Sequence, residues 1–430
     1  MSGTKDVIGR VVEVVMERPA HGGECVGRVD GRVVFVGGVI PGERVRVRVT
    51  QGTETSSFWR GELVEVLEPS EHRVHVSWAQ ARRDGVGGAD LAHVELAYQR
   101  EWKRQVVADQ MARLGGVQFD GDVEAAPWEI HPDNDQPGWG WRTRFEVVAN
   151  DKGRAGMFRP RSHDVVPLTH MPLATAQAQE LAQVQGVWSR QWEPHMRLEV
   201  VAPTDGPGVV LGNGEPLRKG HVDVRPNARR FVTEIVHAYG RPYRYRVAAN
   251  GFWQVHRDAP EVLVTAVLDA LGDGFEGGRI LDAYCGSGLF TVPLAAMAGE
   301  DGEVVAIEGG ARAVKDARRN VMNNLDPDIA QKVRFHQGSV GDVLAHLQGV
   351  PSVDAVVLDP PRVGAGAHVI DALVALSPQT MVYVACDPAA LARDTALVGE
   401  RGYQLTSMRA FDLFPMTHHV ECVAVFHRRS

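Results

Sequence analysis

The residues with the most chemistry to offer sit at the ends of short apolar runs. Cys386 follows Val382-Tyr-Val-Ala385, a buried strand by pattern, and precedes Asp387-Pro388, which suits a turn with proline near the first helical position. A side chain there points into the crevice above a parallel sheet, where open α/β sheets take their ligands. Taken alone, a thiol at that place is as readily a core residue. The run Arg279-Ile-Leu-Asp-Ala-Tyr-Cys-Gly-Ser-Gly-Leu-Phe290 is a strand, an acid and a glycine turn centred on Gly286, followed by the helical Thr291 to Met297. Farther on, Glu303-Val-Val-Ala-Ile-Glu308 ends a second strand in a carboxylate suited to a ribose diol. The turn lacks the full GxGxxG phosphate fingerprint, and Asp282 precedes it. A pyrophosphate would meet an acid there, whereas the cation of a sulfonium amino acid would be attracted. S-adenosylmethionine therefore fits better than a dinucleotide.

Two further carboxylates belong to the same pattern. Ala355 to Leu358 is an apolar strand ending in Asp359-Pro-Pro-Arg-Val-Gly364, whose prolines stiffen the loop and hold Asp359 over the crevice. Glu421 stands at the entrance of the last apolar strand, after His418-His419. Adjacent imidazoles point in different directions, and with no partner cluster they do not suggest a metal site.

These groups need a scaffold, and the chain spells one. From Gly278 onward strands alternate with helices, the signature of a Rossmann-like α/β domain, placed at 251–430. The first seventy residues carry alternating runs such as Arg44-Val-Arg-Val-Arg-Val49, with turns at Asp30-Gly31 and Pro41-Gly42, and read as a small β-barrel. Its outward arginines suit a phosphate backbone or a solvated strand face. Between them, 71–250 is assigned to a mixed α+β region. It opens with a helix from Val94 to Leu114 that buries Leu96, Val107, Met111 and Leu114, keeps Glu95, Arg100, Lys103 and Arg104 wet, and stops at Gly115-Gly116. From Leu217 to Val247 eight arginines and lysines face two acids, interleaved with Phe231, Tyr239, Tyr243 and Tyr245. Cations among stacking rings suit exposed single-stranded RNA, though Tyr243-Arg-Tyr-Arg246 also reads as a half-buried strand.

Composition sets the outer limits. A chain of 430 residues has room for two or three domains, and it holds no apolar run long enough to span a membrane. Met1-Ser-Gly-Thr-Lys5 is no signal peptide, so a cytoplasmic, monomeric protein is expected. Four scattered cysteines give neither a disulfide framework nor a CxxC metal site. The net charge of −8 argues against indiscriminate nucleic-acid binding, so a polyanion site must be local.

The motifs together resemble a known family. Ala20-His-Gly-Gly-Glu-Cys-Val-Gly-Arg-Val-Asp-Gly-Arg-Val-Val-Phe-Val36 is similar to the TRAM domain, an OB-like RNA-binding module. The remainder resembles the RNA (uracil-C5) methyltransferases, which modify uridine in ribosomal or transfer RNA, and the likeness covers nearly the whole chain. It implies that Gln254, in Phe252-Trp-Gln-Val-His256, contacts the cofactor, that Tyr284 and the Gly286 turn embrace it, that Glu308 takes its ribose, and that Asp359 completes the site. Tyr383-Val-Ala-Cys-Asp-Pro388 is similar to the nucleophile motif, and His419-Val-Glu421 to the motif of the general base. Cys386 is thus expected to add to C6 of uracil, and Glu421 to remove the C5 proton. The helix after Pro388 and Arg362 are candidates to stabilise the thiolate.

Several positions depart from the family. Where relatives carry an iron-sulfur cluster, this chain has Arg73-Val-His-Val-Ser-Trp78, Val86-Gly-Gly-Ala-Asp-Leu-Ala-His93 and His170-Met-Pro172, so no cluster is expected. Asp387 replaces Asn beside the nucleophile, and Leu289 and His256 replace Asn near the cofactor, which predicts altered contacts. Arg362 stands where amino-group methyltransferases place a stacking aromatic. The alternative function is an RNA-binding or ribosome-assembly protein with a degenerate methyltransferase domain. The choice between ribosomal and transfer RNA stays open, with the barrel favouring ribosomal RNA.

Overall fold

Alternation of valine with charged residues shapes the N-terminal part of the computed structural model, which describes residues 7–81, 85–159, 162–346 and 352–429; Met1–Lys5 lie outside them. Strands β1 (Val11–Pro19), β2 (Glu24–Val29), β3 (Arg32–Gly37), β4 (Arg44–Gln51) and β5 (Phe58–Glu68) close into a barrel of order β1-β2-β3-β5-β4. In β4 every second residue, Val45, Val47 and Val49, is buried against Val12, Val14 and Trp59. The outward arginines do not form a free cationic face. Arg44 pairs with Glu68, Arg46 with Glu13 and Glu65, and Arg48 with Glu62, all across adjacent strands.

Helix α1 (Leu96–Gln110) follows, widens into a π-turn over Met111–Gly115, and is ended by left-handed Gly116. The one-sided reading of this helix was incomplete. Trp102 and Val106 pack into the barrel core, while Val107 and Met111 pack into the catalytic core. Leu114 is exposed instead. Caught between two bodies, Lys103 is fully buried, and its Nζ donates to Asp412 Oδ1 at 2.5 Å and to the Phe414 carbonyl at 3.0 Å.

After β6 (Val123–Ala125), a central sheet is built from β7 (Arg144–Ala149), β8 (Ala155–Phe158), β9 (Val165–Pro167), β10 (Arg197–Val201), β11 (Val209–Gly212), β12 (Glu215–Arg218) and β13 (His221–Val222), with α2 (Ala176–Gln185) against it. Its order is β13-β12-β11-β10-β7-β8-β9. Strands β14 (Phe231–Ala238) and β15 (Arg241–Ala248) form a separate hairpin. The hairpin shows what the interleaved aromatics do. Tyr243 and Tyr245 are core residues, Tyr245 donating to the Leu289 carbonyl at 2.9 Å, so they offer no stacking surface. Arg225, Arg230 and Arg244 pair with Asp223, Glu215 and Asp205.

The last part is the α/β domain. Its elements are α3 (Ala259–Leu271), β16 (Arg279–Ala283), α4 (Thr291–Ala298), β17 (Glu303–Glu308), α5 (Ala311–Asn324), α6 (Pro327–Ala330), β18 (Val333–Gln337), α7 (Val340–His346), β19 (Ala355–Leu358), α8 (Gly366–Ala375), β20 (Thr380–Ala385), α9 (Pro388–Glu400), β21 (Tyr403–Asp412) and β22 (Glu421–Arg428). The sheet order is β18-β17-β16-β19-β20-β22-β21-β6: parallel from β18 to β20, then reversed by β22, with β6 added in parallel to β21. This is the class I methyltransferase arrangement, with apolar cores on both faces of the sheet. No helix among the described residues is long and apolar enough to cross a membrane.

Helix α5 binds the hairpin to this sheet by a ladder of side chains. Asp316 accepts from the Ala248 amide, Asn320 exchanges two bonds with Arg246, and Asn324 exchanges two with Arg244. Four helical residues rise roughly 6 Å and two strand residues about 6.6 Å, so the i, i+4, i+8 side chains keep step with alternate strand residues.

Since the Lys103 ammonium and Asp412 are enclosed together, Lys103→Ala leaves an unpaired buried carboxylate. The loss expected in chemical denaturation is about 3–5 kcal/mol, against less than about 1 kcal/mol for the exposed Arg44→Ala in the barrel ladder.

Candidate active site

Sheet register brings the reactive groups together. Strands β20 and β22 run antiparallel with Ala385 opposite Cys422, so the next residues along, Cys386 and Glu421, meet at the sheet's end. The parallel strands β16, β17 and β19 end beside them and deliver Tyr284, Glu308 and Asp359. A cavity of about 950 Å³ lies over these ends, and Gln254, Tyr284, Gly286, Glu308, Asp359, Cys386 and Glu421 all line it. The central sheet and its flanks close the opposite side with Arg142, Phe145, Met157, Met171 and Leu173.

The glycine turn is shaped for close approach. Tyr284 and Gly286 both adopt left-handed backbone, with φ of 66° and 53°, and a Cβ placed on Gly286 would meet open space. Gly288 has α5 against it: a Cβ there would lie 3.3 Å from Ala317. Glu308 ties the turn down, its Oε2 accepting from the Gly286 amide at 3.0 Å and its Oε1 from the Gly310 amide at 2.6 Å. Asp282 does not face the cavity as its place before the turn suggested. It lies beneath the turn, enclosed, and accepts from the Thr291 hydroxyl at 2.5 Å, fixing the start of α4. The alternation of β16 decides this, because Leu281 and Ala283 pack into one core and Ile280 into the other. His256 is also turned away: its ring is buried, stacks on Trp141 at 5.4 Å and accepts from the Asp258 amide. Leu289 does line the cavity.

Comparisons with known proteins fit this geometry. Residues 225–429 match the tRNA (Uracil-5-)-methyltransferase family model, and residues 5–64 match the TRAM domain. An RNA methyltransferase of Bifidobacterium longum is 43% identical over 97% of this chain and 96% of its own. The chain belongs to the RNA (uracil-C5) methyltransferase family. It is accordingly an S-adenosylmethionine-dependent enzyme. A 23S rRNA (uracil(1939)-C(5))-methyltransferase of Shewanella baltica is 30% identical over 94% of this chain and 93% of its own. The fold is shared with a Pyrococcus abyssi tRNA (uracil-54, C5)-methyltransferase, with a TM-score of 0.66, 22% identity, and coverage of 96% of this chain and all of that one.

The segments where the resemblance raised the question of an iron-sulfur cluster are filled by other side chains. Trp78, Val86, Ala89 and Met171 form one apolar core, and Arg73 clamps the fully buried Glu43 at 2.5 and 2.7 Å. These side chains offer no thiolate ligands and do not fit an iron-sulfur cluster.

Electrostatics make the methyltransferase cavity a place where protons are held. Burial pushes the Asp359 carboxyl up to about 7, with the Asp282 charge adding to it. Burial raises Glu421 well above the carboxylate range, Asp359 reinforcing and Arg362 opposing. Cys386 is pushed up to about 12 by burial and then by Glu421 and Asp359, while Arg362 draws it back. Sequence reasoning missed Arg142, whose cation is pulled down to about 10 by burial and by the charge of Arg362. Its Nε donates to the Arg144 carbonyl, and its side chain lines the cavity. No periodicity marks it, because it stands just before β7 and reaches the site only through packing of two sheets.

The sign of the Asp359 effect is testable. Between the ordinary aspartate value of 3.8 and about 7, the unfolded chain ionises at this residue while the folded chain keeps its proton, so Asp359 subtracts stability as pH rises through that window. Asp359→Asn is expected to raise the melting temperature at pH 8 by about 1–3 °C, with the difference vanishing near pH 4, as calorimetry at the two pH values will read.

Proposed function

We propose that this enzyme methylates C5 of a uridine in RNA, with ribosomal RNA preferred, through a covalent adduct at Cys386. The observation that carries this reading is the meeting of Cys386 and Glu421 at one end of a cavity whose other end is the glycine turn with Glu308. Uracil C5 is a weak nucleophile, and a thiolate adding to C6 turns the ring into an enolate. Cys386, once its thiol proton has passed to solvent, bonds through Sγ to C6 as the C5=C6 pair shifts toward C4 and the C4 carbonyl pair onto O4. S-adenosylmethionine, when bound, would supply the electrophilic methyl group to C5, its S–CH3 bond breaking to leave the neutral thioether. Glu421 then removes the C5 proton, the C5=C6 bond re-forms, and the S–C6 bond breaks to return the thiolate. A carboxylate raised by burial is a stronger base once ionised, which suits Glu421 to this step.

The remaining residues have supporting tasks. The open space beside Gly286, the acid at Glu308 and the amide of Gln254 fit the cofactor's amino-acid and ribose parts. Arg142 and Arg362 bring two cations to the cavity and suit the carbonyls or phosphate of a uridine turned out of its stack. The preference for ribosomal RNA is supported by the barrel and by the full-length similarity to the Shewanella enzyme, which acts on 23S rRNA. The Pyrococcus enzyme, named for transfer RNA and bound to S-adenosyl-L-homocysteine, resembles this chain in fold.

Wild-type enzyme is expected to form a denaturation-resistant adduct with RNA containing 5-fluorouridine, and Cys386→Ala to form none while losing at least about a thousandfold in turnover. Glu421→Gln is expected to stall on ordinary RNA with the methylated nucleotide still attached, visible as a protein-RNA band in a denaturing gel. Turnover that survives Cys386→Ala would overturn the mechanism. Loss of 5-methyluridine from transfer RNA but not ribosomal RNA in a deletion strain would overturn the substrate preference.

A further inference from the structure

The turn joining β1 to β2 reaches from the barrel to the start of α9 and the loop before β22. Gly23 lies so close to them that a Cβ would stand 2.6 Å from Asp90 Oδ2 and 3.3 Å from His418. Asp90 Oδ2 in turn accepts from the His418 amide at 3.0 Å and sits 2.7 Å from His418 Nδ1. On the other side of the same turn, His21 Nε2 donates to Asp387 Oδ2 at 2.9 Å. Asp387 is the N-cap of α9, and its Oδ1 accepts from the Ala390 amide at 2.8 Å. One barrel turn thus touches the segment bearing Cys386 and the segment leading to Glu421, and a small cleft between them is lined by His21, Cys386, Asp387 and His419.

A carboxylate one residue from a nucleophilic thiol works against the thiolate. Burial pushes Cys386 up most, followed by Glu421 and Asp359, with Arg362 opposing from the loop after β19 and Asp387 adding the smallest increment. His21 is raised by its bond to Asp387, against the charge of Arg393 on α9, and so keeps its proton to higher pH than a free histidine. The other titratable side chains near this point are Asp90, His418 and His419.

We propose that His21 is a positioning residue for the methyl-transfer site: it holds Asp387 in its capping geometry and neutralises it, so that the barrel supplies the counter-charge beside the nucleophile. The barrel then serves chemistry as well as RNA binding. This inference rests on Cys386 being the nucleophile.

The test is the pH dependence of adduct formation with saturating 5-fluorouridine RNA in the full-length enzyme, with iodoacetamide labelling of Cys386 as a second readout. His21→Ala and His21→Gln are expected to move both profiles to higher pH and slow adduct formation at pH 7 by about two- to fivefold, the size of a partly exposed ion pair. Glutamine keeps a hydrogen-bond donor without the charge and serves if the alanine variant fails to fold. Asp387→Asn, which still caps a helix, is expected to cancel the effect, so that adding His21→Ala to it changes nothing. Unshifted profiles in a folded His21→Gln enzyme, or equal losses in the Asp387→Asn background, would falsify the role of His21. A wild-type enzyme that forms no adduct would instead remove Cys386 as nucleophile.

Discussion

The antiparallel insertion of β22 beside β20 is the constraint on which the site depends. Strands β16, β17, β19 and β20 run parallel and send their C-terminal ends to the cavity. Only a reversed neighbour can place the first residue of a strand at that same edge, and Glu421 is the first residue of β22. Register matters as much as direction, since a one-residue slip would turn Glu421 to the opposite face of the sheet. The register is secured by packing on both faces, since Cys422, Ala424 and Phe426 fill one core and Val423 the other, and a slip would exchange the two sets.

Charge is the second organising quantity. Asp359, Glu421 and Cys386 share one enclosed space, and each disfavours ionisation of the next. The cations that face them, Arg142 and Arg362, come from different sheets. The central layer adds a second cation, Arg142, to the one that the catalytic layer already holds. A substrate that fills the cavity meets both layers, which is a reason for the central sheet to cover the catalytic strands.

Much of this could be read from residue patterns. The strand-turn-helix around Gly286, the strand ends at Glu308 and Asp359, and the Cys386 and Glu421 segments all lie where local rules put them, because parallel strands buried on both faces read as continuous apolar runs. The errors share one cause. Lys103 was expected in water, and Tyr243 and Tyr245 either against RNA or in a half-buried strand, yet all three are buried by elements distant in sequence. Periodicity names the buried face of an element that has one partner. Helix α1 has two, and the β14–β15 hairpin meets a helix on the side that looked free. Arg142 and His21 escaped notice for the same reason: their importance lies in what another layer brings to them.

The ladder between α5 and β15 has a consequence for how the cavity can change shape. Helix α5 begins just after Glu308, and its Arg312, Ala313 and Asp316 form part of the cavity wall, while β15 leads directly into Gln254. Side chains spaced by four helical residues can lock to strand residues spaced by two only in discrete steps, so the two elements cannot slide gradually past one another. Gln254 and Glu308 therefore move as one rigid jaw, and opening of the cleft has to be sought at the joints with the central sheet and the barrel.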